Sequence, residues 1–429
     1  MNKKVALGLS SYQFMAMARR GLFYTFLSLY LMAGLGLSVT ATTLLASLSM
    51  IANSVSQTFV WGRVSDKYRI RARLVVIGET TAAFGYILIY FLHIHILSMS
   101  GPIAAAYSII AGLTFLEFFW SMSNLGWSAL LSDLTTYKER GRLMGVVSSV
   151  GGVGRILGIS VSGMLYDWGG TAGGFRNGIL FFFPSGIMLA SALLIWFSTR
   201  FSEQDARNGI TREANLEDNA TRSSSHGLRA FYWFLGSISV VSLGTYSILQ
   251  ILVFYVNLDS PIGATAFDIA MISNSASIAT IIFSLLAGTL ADKTSRKGAL
   301  SVGLALTVIT PILYTFAQNT LQMILINSLS GVSMALISVV GYLLASDLIP
   351  AGSRGRLFGQ YNAVTSVSFG IAGTVVGGPI ADYMIGIGTA KAAAYIATFQ
   401  AASVISLAGT ILFAFKVKPK PLKVEVAQA

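Results

Sequence analysis

Five ionisable residues stand inside long apolar runs: Arg19, Arg20, Glu79, Glu117 and Arg155. At a helix centre in lipid each costs at least about 2.5–3.5 kcal/mol unless it is paired or hydrated, so each is a candidate for function. Arg19 and Arg20 lie in the first part of their run and can snorkel toward water, and Glu79 is six residues past Arg73, near an edge. Glu117 and Arg155 have no such escape. Glu117 is 15 residues from Pro102 and 16 from Asp133, which at about 1.5 Å per residue places it near mid-membrane. A carboxyl that gains and loses a proton beside a guanidinium changes which charge is left uncompensated, and thereby which conformation is favoured. Glu117, with Arg155 or Arg20 as its partner, is therefore the expected proton-coupling group; the plainer reading is a structural buried pair.

Glu117, Trp120, Asn124 and Trp127 follow one another at i, i+3, i+7 and i+10 and share a helix face. Polar groups among aromatics suit a small organic ligand, although aromatics at this spacing also serve as packing. Other chemistry has little support. His93 and His95 form a lone His-x-His, and with no cysteine in the chain no metal site is expected. Gly151-Gly152-Val153-Gly154 lies within an apolar run and lacks the following Lys-[Ser/Thr] of a phosphate loop. Neither a cofactor nor an enzymatic centre is expected.

The elements that must carry these residues follow from composition. A chain of 429 residues with 54% hydrophobic and 11% charged residues and mean hydropathy +0.70 reads as an integral membrane protein. Its net charge of +12 does not indicate nucleic acid, because the cations sit in short turns between apolar segments and not on one solvated face. A span needs about 20 apolar residues. Breaking the chain at its charged or Gly/Pro-rich turns gives twelve runs, at 8–34, 40–61, 73–95, 102–131, 142–166, 175–199, 229–256, 264–290, 297–317, 321–348, 356–382 and 391–415. Met1-Asn2-Lys3-Lys4 before the first run resembles the basic start of a secretory signal. The run is too long for a signal core and lacks a small-residue cleavage site, so an uncleaved first helix is expected. One set of alternate turns, with the termini, holds 24 of the 29 Lys and Arg residues, which puts both termini in the cytoplasm of a multi-pass cell-membrane protein. Residues 200–228 are the one long polar interior stretch and read as a cytosolic linker, so the sequon Asn219-Ala220-Thr221 within it is taken as chance. The expected division is 1–199 and 229–415 as two six-helix bundles, with 416–429 as a cytosolic tail.

The two halves repeat each other. Leu130-Leu131-Ser132-Asp133-Leu134, then Arg140-Gly141-Arg142-Leu143-Met144-Gly145, recurs 214 residues later as Leu344-Ala345-Ser346-Asp347-Leu348, then Arg354-Gly355-Arg356-Leu357-Phe358-Gly359. Gly62-Arg63-Val64-Ser65-Asp66-Lys67 has a sister at Gly288-Thr289-Leu290-Ala291-Asp292-Lys293, followed by Arg296 and Lys297. These paired hinges resemble the signature G-x-L-A-D-R-x-G-R-R/K of the major facilitator superfamily, the second more closely than the first, which has Arg69 and Ile70 where the signature has Gly and Arg. The resemblance covers the whole transmembrane part. It implies an all-α membrane protein of twelve transmembrane helices in two pseudo-symmetric six-helix bundles, working by alternating access. It further implies a cytoplasmic charge latch made of Asp66, Lys67, Asp133, Arg140 and Arg142, with Asp292, Lys293, Arg296, Asp347, Arg354 and Arg356 in the second half.

In that superfamily helices 1, 4, 7 and 10 line the cavity. The implied substrate pocket is therefore Arg20, Tyr24, Glu117, Trp120, Asn124, Tyr246 and Gln250, with Asn327 as a weaker member. Gly145, Gly154, Gly158 and Gly163 are similar to the family's antiporter motif, G-x8-G-x3-G-P-x2-G-G, with Ile159 in place of the Pro and Ser162 in place of one Gly. The same glycines also fit close helix packing in lipid. The expected function is secondary transport of a small organic solute, by proton-coupled export, from a monomer whose partners are its solute, protons and the lipid bilayer. A proton-coupled importer of an anionic metabolite, such as a carboxylate or sugar acid, is the runner-up. A non-transporting membrane receptor is a third alternative.

Overall fold

The structure, a computed structural model, describes residues 3–68, 70–133, 137–199, 225–259, 261–349 and 354–417, and every regular element among them is helical. The first half consists of α1 (Lys3–Leu29, extended by a π turn at Tyr30–Gly34), α2 (Val39–Ser56, carried through a π turn at Gln57–Trp61 into Gly62–Tyr68), α3 (Arg71–Ser100), α4 (Pro102–Asp133), α5 (Tyr137–Tyr166) and α6 (Ile179–Thr199). The second consists of α7 (Ser225–Ser247, resuming as Leu249–Val256), α8 (Ala266–Lys293), α9 (Arg296–Tyr314), α10 (Thr320–Leu348), α11 (Arg354–Ala372, through a π turn at Gly373–Gly377 to Gly378–Gly386) and α12 (Lys391–Lys416). Eleven of these are long and apolar enough to cross a membrane. Ser10, Ser11, Gln13, Arg19 and Arg20 lower the hydropathy of α1, which packs along α5 and α6 as the twelfth.

Local chemistry sets several helix starts. Ser38 accepts from the Ala41 amide, Ser295 from that of Gly298 and Asn319 from that of Gln322; Thr265 and Asp268 form a reciprocal capping box. The charged hinge expected over Trp61–Arg71 is shorter than its composition suggests. Arg63 to Tyr68 contains no helix breaker, so α2 simply continues to Tyr68.

The packing repeats with a period of six helices. In the first half α1 packs on α5 and α6, α3 on α4 and α6, and α2 on α4; in the second, α7 packs on α11 and α12, α9 on α10 and α12, and α8 on α10. The contacts between halves, α2 with α11 and α5 with α8, exchange with each other under the same shift, as a twofold relation requires.

The two ends of the molecule differ. At the end carrying the α1–α2 and α7–α8 turns, one continuous core joins Phe26, Tyr30 and Tyr166 to Ile251, Phe254, Ile269 and Phe399. Hydrogen bonds close the same end. Ser47 donates to the Gly370 carbonyl at 2.7 Å, and Asn274 donates to Ser160 Oγ at 2.9 Å and to the Ile156 carbonyl at 3.3 Å. The Asp382 carboxylate accepts from the Val39 and Thr40 amides at 2.9 and 2.8 Å, so α11 supplies the anion at the positive end of α2. At the opposite, cation-rich end the cores are separate: Leu9, Tyr12, Val75, Val147 and Ile195 belong to one half, and Phe231, Phe234, Leu300, Leu344 and Phe413 to the other. A cleft between the halves opens toward that end.

Gly151, Gly154 and Gly158 of α5 form a seam with α1, whereas Gly152 and Gly163 face α8. A Cβ on Gly154 would lie 2.3 Å from the Phe14 carbonyl oxygen and one on Gly158 2.0 Å from that of Ala18, while Gly21 of α1 abuts the Arg155 carbonyl at 2.4 Å. Gly158→Ala is expected to force α1 and α5 apart and cost about 1–3 kcal/mol. Gly186→Ala on α6, with nothing within 4 Å of the new Cβ, should stay within about 0.5 kcal/mol of the parent. Thermal denaturation of the two purified proteins checks the contrast.

Candidate functional site

The charged residues of the apolar runs assemble into two connected layers inside the first half. The inner layer is enclosed. Glu79 on α3 is 1% exposed, and its Oε1 accepts from Tyr12 Oη at 2.9 Å, Trp120 Nε1 at 3.0 Å and Ser123 Oγ at 2.7 Å. Arg19 on α1 is likewise 1% exposed, which corrects the expectation that it snorkels. Its Nη1 donates to Tyr86 Oη at 2.9 Å, and its guanidinium carbon lies 4.5 Å from the centre of the Trp120 ring. Glu79, expected near a membrane edge, thus belongs to the buried core, because α1 and α4 supply its three donors.

The outer layer borders the cleft. Tyr24 on α1 donates to Glu117 Oε1 at 3.2 Å, and Asn53 on α2 donates to Glu117 Oε2 at 2.8 Å; Gln57 in turn donates to Asn53 at 2.5 Å. Arg20 donates to Asn124 Oδ1 at 3.3 Å and lies 4.8 Å from the Trp120 ring centre. Two features join the layers. Trp120 receives both guanidiniums, a contact that strengthens as water is removed. Tyr86 Oη donates to Tyr24 Oη at 3.3 Å, so a directional chain runs from Arg19 through Tyr86 and Tyr24 to Glu117.

Of the α4 face singled out in sequence, Glu117 and Asn124 reach the rim. Trp120 is buried with its N–H on Glu79, and Trp127 packs on the Tyr12 ring at 4.5 Å. Among the described residues neither Arg20 nor Arg155 pairs with Glu117, whose two hydrogen bonds come from neutral groups. Across the cleft, Tyr246 meets Phe369 edge to face at 5.1 Å, and Gln250 Oε1 is buried without a partner. Asn327 is buried and occupied within the second half: it donates to the Ile272 carbonyl at 2.6 Å, accepts from Tyr314 at 2.7 Å, and borders a cavity of about 40 Å³.

Several members of the site were missed in sequence: Tyr12, Asn53, Gln57 and Tyr86. Asn53 and Gln57 are an i, i+4 polar pair in an apolar run, and Tyr86 lies seven residues from Glu79 on the same face. Either spacing was a usable signal. Of the expected latch, Arg296 pairs with Asp347 and also donates to the Leu343 carbonyl at 3.2 Å, tying α9 to α10. Lys67 lies 5.3 Å from the Tyr68 ring centre and Lys293 is exposed. The side chains of Asp66, Asp133, Arg140, Arg142, Asp292, Arg354 and Arg356 lie outside the described residues.

A family model described as the Major Facilitator Superfamily matches residues 9–264 and 235–429. The multidrug resistance protein MdtG of Yersinia enterocolitica is 25% identical over 386 residues, covering 89% of this chain and 84% of that one. A multi-drug resistance efflux pump PmrA homolog of Lactococcus lactis is 22% identical over 365 residues, covering 84% of each. The crystal structure of the nucleoside transporter NupG superposes with a TM-score of 0.71 at 15% identity, over 97% of this chain and all of that one.

Removing the inner carboxylate tests whether the layer holds as a unit. Glu79→Leu strands the three buried donors of Tyr12, Trp120 and Ser123, and it should destabilise the protein by about 3–5 kcal/mol. Glu79→Gln keeps an acceptor and should cost less. Unfolding midpoints of the two variants, measured in the same detergent, give the comparison.

Proposed function

The chain belongs to the Major Facilitator Superfamily and is a multi-pass membrane transporter, and from that premise we propose that it exports a small organic solute in exchange for protons. The observation that carries this reading is Glu117, a carboxyl at the cleft bound only by neutral donors and thus not committed to an ion pair. A group so placed can take up a proton without breaking a salt bridge. Its hydrogen bonds reach α1 and α2, so protonation acts directly on helices that line the cleft or meet the other half.

The halves 1–199 and 229–415 are the two rocking bodies of this proposal. The shared core near Tyr30 and Phe254 is the seal that must open, and the α5 glycine seam keeps α1 and α5 moving together. The distribution of cations assigns both termini, and the open end of the cleft, to the cytoplasm. The described conformation is then the one that loads solute from inside. Export agrees with the relatives named for multidrug resistance and with the glycine pattern of α5. Arg20, Arg155 and Glu117 are the coupling residues in this reading, with Tyr24, Asn124, Tyr246 and Gln250 around the solute. A non-transporting receptor finds no support, since the family match runs through both halves.

Two experiments test the proposal. Expression in a drug-sensitive bacterium should raise resistance to members of a panel of anionic, neutral and cationic drugs; growth stimulation by a solute, with no resistance, would point to import. For a solute found this way, the parent protein in liposomes should move it under an imposed pH gradient and Glu117→Gln should not. Gradient-driven movement by Glu117→Gln at the parent rate would refute the coupling role.

A further inference from the structure

Fixed charge is distributed unevenly about the cleft. From 230 to 258, 269 to 291, 298 to 346, 357 to 381 and 392 to 415, the interior of the second half contains no Asp, Glu, Lys, Arg or His. Among the described residues, the fixed charges at the cleft within the spans therefore come from the first half: Arg20 on α1, Glu117 on α4 and Arg155 on α5.

Arg155 stands apart among the three. The strongly exposed positions of α5 fall in two arcs. Val146, Val153, Leu157 and Met164, with Ser149 beside them, form a largely apolar arc suited to lipid. Ser148 and Arg155, seven residues apart, form the other. This second arc lies between the face turned to α1, where Gly151 meets Gln13 and Met17, and the face turned to α8, where Gly152 meets Ile281. Arg155 therefore opens into the cleft between the halves. Among the described residues it has no hydrogen-bond or ion-pair partner. Its backbone abuts Gly21, so Arg20 is carried at the same level, with a single hydrogen bond at 3.3 Å to a neutral amide. Glu117 meanwhile has two donors of its own. A guanidinium that faces the cleft with no anion beside it is free to bind one, and its planar fork of N–H donors matches a carboxylate or phosphonate.

We propose that the solute carries an anionic oxyacid group, which docks on Arg155 and Arg20, while its apolar part lies toward Tyr246 and Phe369 on the uncharged wall. This rests on the transport reading and narrows it. The solute supplies the anion that the protein omits, so the empty site holds an excess of positive charge that binding cancels. The neutral second half can then close over a charge-balanced load. A lipophilic cation would instead meet two guanidiniums and find only Glu117, already hydrogen-bonded, to oppose them.

The test is equilibrium binding, which needs no transport. Cinnamate, methyl cinnamate and cinnamyltrimethylammonium present one aromatic frame with an anion, a neutral ester and a cation. Ligand-induced thermal stabilisation of the purified protein reads their affinities. Cinnamate should bind about tenfold to a hundredfold more tightly than either analogue. Arg155→Gln should erase that preference and Arg155→Lys should keep part of it. Because Arg155 makes no internal bond, the unliganded melting temperature of Arg155→Gln should match the parent. Tighter binding of the cation, binding of none of the three, or an unchanged preference in Arg155→Gln would each overturn the proposal. Selective cinnamate binding without pH-gradient-driven flux in liposomes would instead refute the transport reading and leave the anion site standing.

Discussion

A guanidinium sealed from water inside a helix bundle sets the terms for everything around it. Arg19 can neither lose its proton nor reach the interface, and neighbouring helices must therefore supply its environment. They do so with the Tyr86 hydroxyl, the Trp120 ring and the Glu79 carboxylate held at the N–H edge of that indole. Each group comes from a different helix or a different turn, so the charge fixes how α1, α3 and α4 sit against one another. The same Trp120 also carries Arg20 at the edge of the cleft. The placement of the outer layer is thereby inherited from the inner one.

The division of labour between the halves follows from this. The first half spends its interior on charge and polar bonding, and its α1–α5 seam is dense with glycine because two helices must meet backbone to backbone there. The second half has no Asp, Glu, Lys, Arg or His in the middle of its spans. It contributes the Tyr246–Phe369 ring pair, and the anion of Asp382 at the start of α2 on the sealed side. Helix pairings in the two halves match one for one under a shift of six, yet their chemistry does not. Duplication accounts for the shared frame, and the charged residues mark where one copy became specialised.

The seal and the opening depend on different interactions. At the closed end a continuous apolar core joins the halves and a few polar contacts fix their register. At the other end each half keeps its own core. Separating the closed end would expose apolar side chains together with a few neutral hydrogen bonds, and the buried ionic layer would stay intact within one rigid half.

The fold was largely legible in the sequence because lipid imposes one rule on every span: about 20 apolar residues with all backbone bonds made internally. Twelve runs, the repeat at an offset of 214, and the presence of Glu117 and Arg155 inside apolar runs all followed from reading residue types along the chain. The run boundaries mostly agree with the helices, apart from the hinge at Gly62–Tyr68, where charge was taken for a turn and the backbone had no reason to break. The site was only partly legible. Periodicity placed Glu117, Trp120, Asn124 and Trp127 on one face, but it gave no sign that Trp120 and Trp127 turn inward while the other two reach the rim. Proximity to Arg73 suggested an edge position for Glu79, and only the arrival of Tyr12, Trp120 and Ser123 from other helices made it a buried acceptor. One sequence thus determined which segments enter the membrane and which residues are too costly to be there by accident. Tertiary structure alone decided which of those residues share their charge and which, like Arg155, are left facing the cleft, because that depends on the rotation of each helix against its neighbours.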